Sequence, residues 1–139
     1  MDERVGYLLK RAQQALRLEM DSGLQNLNLT TAQYAALNAL EQNPKSSNAA
    51  LARACFVTPQ TMIEIIKNLE TAGFVSRQSH PKHGRIIQTV LTENGRAKLA
   101  TAHQVIGGIE EKMLADLSPI ERTALAAYLQ QCFSNLVER

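Results

Sequence analysis

Apolar residues recur every three or four positions from residue 3 to about 27: Val5, Leu8, Leu9, Ala12, Leu16, Met20, Leu24 and Leu27, with charges between them. That spacing predicts a long amphipathic helix, open to interruption at Ser22-Gly23. In LTTAQYAALNALEQNP, Thr30 and Gln33 form a capping box, Leu37 and Leu40 extend the apolar face, and Asn43-Pro44 stops a helix of about 31–42. Ser46-Ser47-Asn48 can cap a third helix over roughly 48–54, with Leu51 and Ala54 inward. Thr58-Pro59 then signals a fourth, because proline at the first helical position lacks only an N–H that would be unpaired there. Met62, Ile65, Ile66 and Leu69 are its stripe, and Ala72-Gly73 ends it.

The period then changes. Phe74 to Ser79 and Arg85 to Leu91 are β-branched and apolar, with the proline and glycine of HPKHG between them, which predicts an antiparallel hairpin. Thr92 caps a fifth helix with Leu99, Ala102, Val105, Ile106, Ile109 and Met113 on one face. Ser118-Pro119-Ile120-Glu121 is another capping box, opening a last helix with Leu125, Tyr128, Leu129, Cys132 and Leu136 as its stripe. The chain is thus mainly α, in the order α-α-α-α-β-hairpin-α-α. A short helix, tight turn, helix and hairpin make a winged helix-turn-helix. The long first, fifth and sixth helices have more apolar face than so small a middle unit covers, and pairing with a second copy would bury it. Gly107-Gly108 in the fifth helix costs about 1 kcal/mol per glycine against alanine; a close helix approach or a bend would account for it, and simple irregularity is the plainer alternative.

At 139 residues the chain is long enough for one domain with a real core. No run of eighteen apolar residues and no charged-then-apolar amino terminus occurs, so neither a membrane span nor export is expected, and the cytoplasm is the default. Cys55 and Cys132 sit in apolar words, ARACFV and LQQCFS, and are expected in the core. Charge changes the picture more. Between Asn43 and Arg96 seven basic residues face three acidic ones, a net +4, which leaves −2 for the rest of a chain that is +2 overall. A basic middle between acidic ends suits a polyanion, although a mixed solvated surface has the same composition.

The candidate chemistry lies in the same middle. On the fourth helix Gln60, Thr61, Glu64, Lys67 and Asn68 point away from the stripe. Short polar groups at a helix start suit the DNA major groove, where amides and hydroxyls pair with base edges; an ordinary wet surface is the plainer alternative. His80 and His83 in SHPKHGRIIQ have H-x-x-H spacing, but nothing nearby completes a tetrahedral metal set, and no metal or cofactor is expected. With three histidines and no G-x-S-x-G, phosphate-binding glycine loop or H-E-x-x-H, no catalytic constellation is present and no enzyme is expected.

The words LTTAQYAALNAL, SNAALARACFVTPQTMIEIIKNLETAGFVSR and HPKHGRIIQTVLTENG, in that order, resemble the MarR family of bacterial transcriptional regulators over residues 29–99. The resemblance implies a homodimer, with 30–92 as the winged helix-turn-helix DNA-binding domain and 1–29 and 93–139 as dimerisation helices. It implies a regulator, commonly a repressor, that binds double-stranded DNA at a pseudo-palindromic operator and responds to a small aromatic or phenolic effector. Carried onto this chain, Thr58, Gln60 and Thr61 would meet bases and phosphates, and Lys67 and Arg53 phosphates. Arg85 would be the wing arginine, with Lys82 and His83 at the wing tip and Arg77 a recurring arginine of the first wing strand. Tyr7, Met20 and Tyr34 either approach an effector cleft or simply pack.

The chain departs from the family pattern twice. The wing's usual D-x-R is His83-Gly84-Arg85, without the carboxylate that steadies the arginine. Phe56 stands where helix-turn-helix turns often carry glycine, and an aromatic there is expected to pack inward. A winged helix that docks protein rather than DNA is the rival reading. Imidazoles gain charge below about pH 6.5, so histidines at a wing tip are expected to raise DNA affinity as pH falls.

Overall fold

A computed structural model describes residues 3–137. The elements are α1 (Val5–Gln25), α2 (Thr31–Gln42), α3 (Asn48–Cys55), α4 (Pro59–Thr71), β1 (Val75–Ser79), β2 (Ile87–Leu91), α5 (Glu93–Met113) and α6 (Pro119–Val137). The capping signals sit where expected. The Gln33 and Thr61 amides donate to the Thr30 and Thr58 hydroxyls at 3.0 and 3.1 Å, and Thr92 accepts from Gly95 at 3.0 Å. Ser47 caps α3 by accepting from the Ala50 amide. Ser118 and Glu121 close a reciprocal box, whose bonds to Ser118 hold the Glu121 carboxyl below its ordinary range.

Three helices end in one way. At Asn28, Phe56 and Gly73 the backbone turns left-handed, with φ of 57, 57 and 83°. The next amide reaches back five residues, Leu29 to Leu24, Val57 to Ala52 and Phe74 to Leu69. This is the Schellman closure, with an apolar residue just after the left-handed one. It overturns the inward packing expected of Phe56. The left-handed position points its ring outward at 82% exposure, and Val57 turns toward the core in its place.

The core is a single cluster built on Leu37, Leu40, Leu51, Met62, Leu69 and Val75, closed by Leu24 of α1 and by Leu99 and Ala102 of α5. The helix-turn-helix unit, the head of the molecule, therefore shares its core with the helices that flank it. Gly95 lets α5 start against this head, since a Cβ there would lie 1.9 Å from the Phe74 carbonyl oxygen. A second close approach is at Gly23, where a Cβ would meet Val105 at 2.8 Å, so α1 passes this glycine unbroken to lie on α5. Gly107 and Gly108 have nothing within 4 Å of an added Cβ, so within the subunit they serve no close approach, and α5 continues unbroken through them.

The hairpin is shorter than its β-branched residues suggest. Ser79 pairs with Ile87, so the strands exclude Phe74, Arg85 and Ile86, and Arg85 belongs to the wing loop. α6 buries no side chain in its own subunit. Its junction with α5 is held by Arg122, which donates to both Glu111 carboxylate oxygens at 3.0 Å and to the Leu114 and Leu117 carbonyls. Cys132 is accordingly exposed rather than in the subunit core. Cys55 is half-buried, and burial pushes its thiol pKa up.

Two substitutions should move stability in opposite directions. Phe56→Gly removes a left-handed strain of roughly 1 kcal/mol and is expected to raise the denaturation midpoint. Gly95→Ala should lower it by about 1–3 kcal/mol through overpacking against fixed backbone; chemical denaturation of both variants reads the signs.

Candidate nucleic-acid interface

α4 is divided by its own periodicity. Met62, Ile65, Ile66 and Leu69 are buried, which leaves Gln60, Thr61, Glu64, Lys67 and Asn68 in solvent. Thr58 serves the helix first: its hydroxyl accepts from the Thr61 amide and donates to the Thr61 hydroxyl at 3.0 Å. Of the three positions expected to meet DNA first, Gln60 is thus the one whose side chain no capping bond engages. Arg53, in the last turn of α3, is exposed, as is Lys67.

Two residues that sequence reasoning passed over belong to the same surface. Asn48 donates from Nδ2 to the Pro59 carbonyl at 3.1 Å, tying the start of α3 to the first turn of α4. Ile63 stands off the buried stripe and is half-exposed on the outward face. An apolar residue between stripe positions was the signal for it. A shallow cleft of about 210 Å³ is bordered by Asn48, Ile63, Ile66, Arg77, Ile87 and Thr89. The stem of the hairpin therefore lies alongside the second turn of α4, and Arg77 is exposed at their seam.

The wing loop is closed by its own hydrogen bonds. The His80 amide donates to the Ile86 carbonyl at 2.8 Å, and the Ile86 amide to the His83 carbonyl at 2.8 Å. Within that frame the His80 ring accepts at Nδ1 from the Lys82 amide at 3.0 Å and the His83 amide at 3.1 Å, and lies 4.9 Å from the His83 ring. One imidazole thus does what an Asn or Asp oxygen does in an Asx turn. His80 faces the loop backbone rather than a phosphate. Lys82, His83 and Arg85 are exposed around it. Among the described residues no three His, Cys, Asp or Glu side chains converge as a metal would need.

The residues expected at an effector cleft are not gathered by the subunit alone. Tyr7 stacks under Arg11 near the start of α1, at 6.0 Å from the ring centre. Met20 is thirteen residues further along α1, about 20 Å at the rise of an α-helix. Tyr34, on α2, is half-buried and bonded to His103 at 2.8 Å.

A tight helix-turn-helix followed by a two-stranded wing, inserted between long flanking helices, defines a winged helix-turn-helix protein. Residues 27–86 match the family model described as MarR family. The HTH-type transcriptional repressor Rv2887 of Mycobacterium tuberculosis is 35% identical over 134 residues, covering 96% of each chain. A crystal structure of that protein in complex with DNA superposes with a TM-score of 0.79 at 34% identity, covering 94% of this chain and 98% of that one. Bordetella bronchiseptica BpsR, from work on the regulation of its DNA binding by 6-hydroxynicotinic acid, gives a TM-score of 0.83 at 26% identity, covering 94% and 93%. The chain belongs to the MarR family.

His80 Nδ1 is the acceptor of two loop amides. His80→Ala removes it, and amide exchange at Lys82 and His83 is expected to accelerate several-fold against wild type. His80→Asn, which keeps a side-chain acceptor as in an Asx turn, should restore much of the protection; if His80→Ala leaves exchange unchanged, His80 is not the acceptor in solution.

Proposed function

We propose that the protein is a sequence-specific, double-stranded DNA-binding transcriptional repressor that acts as a homodimer and answers to a small aromatic acid. The observation that carries this reading is an exposed, uncharged polar helix start, Gln60 and Thr61, together with an exposed cationic wing loop, Lys82 and Arg85, on two elements that border one cleft through Ile63 and Ile66 and through Arg77 and Ile87. The helix start has the amide and hydroxyl groups that pair with base edges, Ile63 beside it suits a thymine methyl, and the wing has the charge that holds phosphates. Thr58 contributes through the cap it makes, and Arg53, Lys67 and His83 add to the phosphate-facing surface. It is a binding protein, acting in the cytoplasm where the DNA is.

The dimer follows from what the subunit leaves uncovered. α6 exposes Ile120, Tyr128, Phe133 and Leu136, and α1 exposes Val5, Leu8 and Leu9. An isolated subunit would hold that apolar surface in water, at a cost of roughly 25 cal/mol per Å². Residues 1–29 and 93–139 are the dimerising part and 30–92 the reading head. A two-fold dimer presents two copies of α4 to half-sites about one helical turn apart, hence a pseudo-palindromic operator. The response to an aromatic acid is supported by the effector named for BpsR. Tyr7 of one subunit and Met20 and Tyr34 are the side chains offered for it, in a cleft that dimerisation would complete.

Titration of labelled duplexes from the chain's own upstream region, across about 50–200 mM salt, tests the reading, since phosphate contacts make affinity fall steeply with salt. Arg85→Ala is expected to weaken all sequences nearly equally. Gln60→Ala should cost about 1–3 kcal/mol on the best site and blur the preference among sites. A protein-docking module would show no salt-sensitive, sequence-selective binding at all.

A further inference from the structure

His103 lies one residue beyond Ala102, the last fully buried side chain of α5. From there α5 leaves the head and continues toward the surface proposed to pair two subunits. At this exit the imidazole holds two side chains of α2. Tyr34 Oη and His103 Nδ1 are 2.8 Å apart, and His103 Nε2 and Glu41 Oε1 are 2.9 Å apart. Tyr34 and Glu41 are seven residues apart on one face of α2, so a single ring on α5 spans two turns of the neighbouring helix. The Tyr34 ring meets the imidazole edge-on, with centroids 5.5 Å apart and planes at 84°. One tautomer satisfies every group: the tyrosine hydroxyl donates to Nδ1, and Nε2–H donates to the carboxylate. Burial, with Glu41 and Glu110 nearby, pushes the Tyr34 pKa up and so keeps its hydroxyl a donor.

These bonds add little to the core. The His103 and Glu41 side chains are 35% and 45% exposed, and exposed pairs contribute little to stability. Their position matters more. α2 is the helix on which α3, α4 and β2 all pack. Its first turn is tied to α1 by Thr31 and Asp21, and its last turn to α5 through Glu41. Fixing both ends of α2 fixes the tilt of the head. In a dimer whose reading helices are about 35 Å apart, each sits on an arm of roughly 17 Å, so a tilt of about 10° displaces it by about 3 Å, close to one base-pair step.

We infer that His103 is a positioning residue for operator recognition: by holding Tyr34 and Glu41 together it sets the tilt of the reading head on α5, and with it the half-site spacing the dimer accepts. This rests on the proposed DNA-binding dimer. None of the three side chains touches DNA in it.

The test uses the full-length protein and three duplexes with the same half-sites, one at the preferred spacing and two lengthened or shortened by one base pair. Wild type is expected to discriminate between spacings by about tenfold or more, the scale of a single mismatched position. His103→Phe keeps a ring against Tyr34 but loses both hydrogen bonds; Glu41→Ala removes only the exposed partner and so guards against a folding defect. Both are expected to bind the preferred duplex nearly as wild type does while discrimination falls to about threefold or less, and His103→Gln, whose amide offers both an acceptor and a donor, should recover part of it. An unchanged ranking in both variants, or a parallel loss on all three duplexes, overturns the positioning role while leaving the DNA reading intact. If wild type binds none of the duplexes selectively, the DNA reading falls and this inference with it.

Discussion

Burial of one side of α4 is the constraint on which the rest depends. Met62 and Leu69 are fully enclosed, and Ile65 and Ile66 nearly so, against Leu37, Leu40 and Leu51 of the two preceding helices. A helix with four anchors at that spacing cannot rotate without exposing several of them, at roughly 1.5–3 kcal/mol for each large side chain. Its rotation about its own axis is therefore settled by the core, and the residues left outside are settled with it. Gln60 and Thr61 face solvent because Met62 and Ile65 do not. A surface made this way is preorganised: the energy that orients it was supplied on folding and would not be taken from binding.

The same logic extends to the wing. Thr89 of β2 is buried and its amide points to the Ser46 carbonyl, so the hairpin stem is held beside the loop before α3. The loop beyond the stem depends on local bonds alone, with His80 as the common acceptor. The wing therefore joins a base fixed by the core to a tip fixed by one side chain, His80. The missing carboxylate of the family's D-x-R fits this arrangement. His80 steadies the turn from within, and Arg85 in the loop keeps its full charge for a polyanion.

Much of this was legible in the sequence because it depends on nearest neighbours along the chain. Thr30, Thr58, Thr92 and Ser118 mark helix starts by short-range hydrogen bonds, and each helix begins within a residue of its mark. The stripe of α4 was legible for the same reason. What was not legible depends on contacts distant in sequence or on geometry that composition does not encode. Arg85 and Ile86 are good strand residues, yet bonds between residues 80, 83 and 86 close the loop before pairing can reach them. Phe56 was expected to follow its hydrophobicity, but a helix-end motif set its backbone and the side chain went with it. Cys132 looked like core because apolar residues recur along its helix, but Ile120, Phe133 and Val137 carry apolar surface beyond the expected stripe, and α6 fully buries no side chain among the described residues. His103 gave no local signal, since its partners are 69 and 62 residues away.

The uncovered apolar surface of α6 makes association matter to the fold as well as to the site. A helix that fully buries no side chain in its subunit and is held there mainly through Arg122 at its root would gain much of its tertiary stabilisation from association, so the order of the carboxyl-terminal arm would depend on protein concentration through mass action. At low copy number the reading heads would become singletons, each able to engage only half of a two-fold site, and the loss of affinity would exceed proportion. Occupancy of a two-fold site would then fall more steeply than in proportion as the protein is diluted.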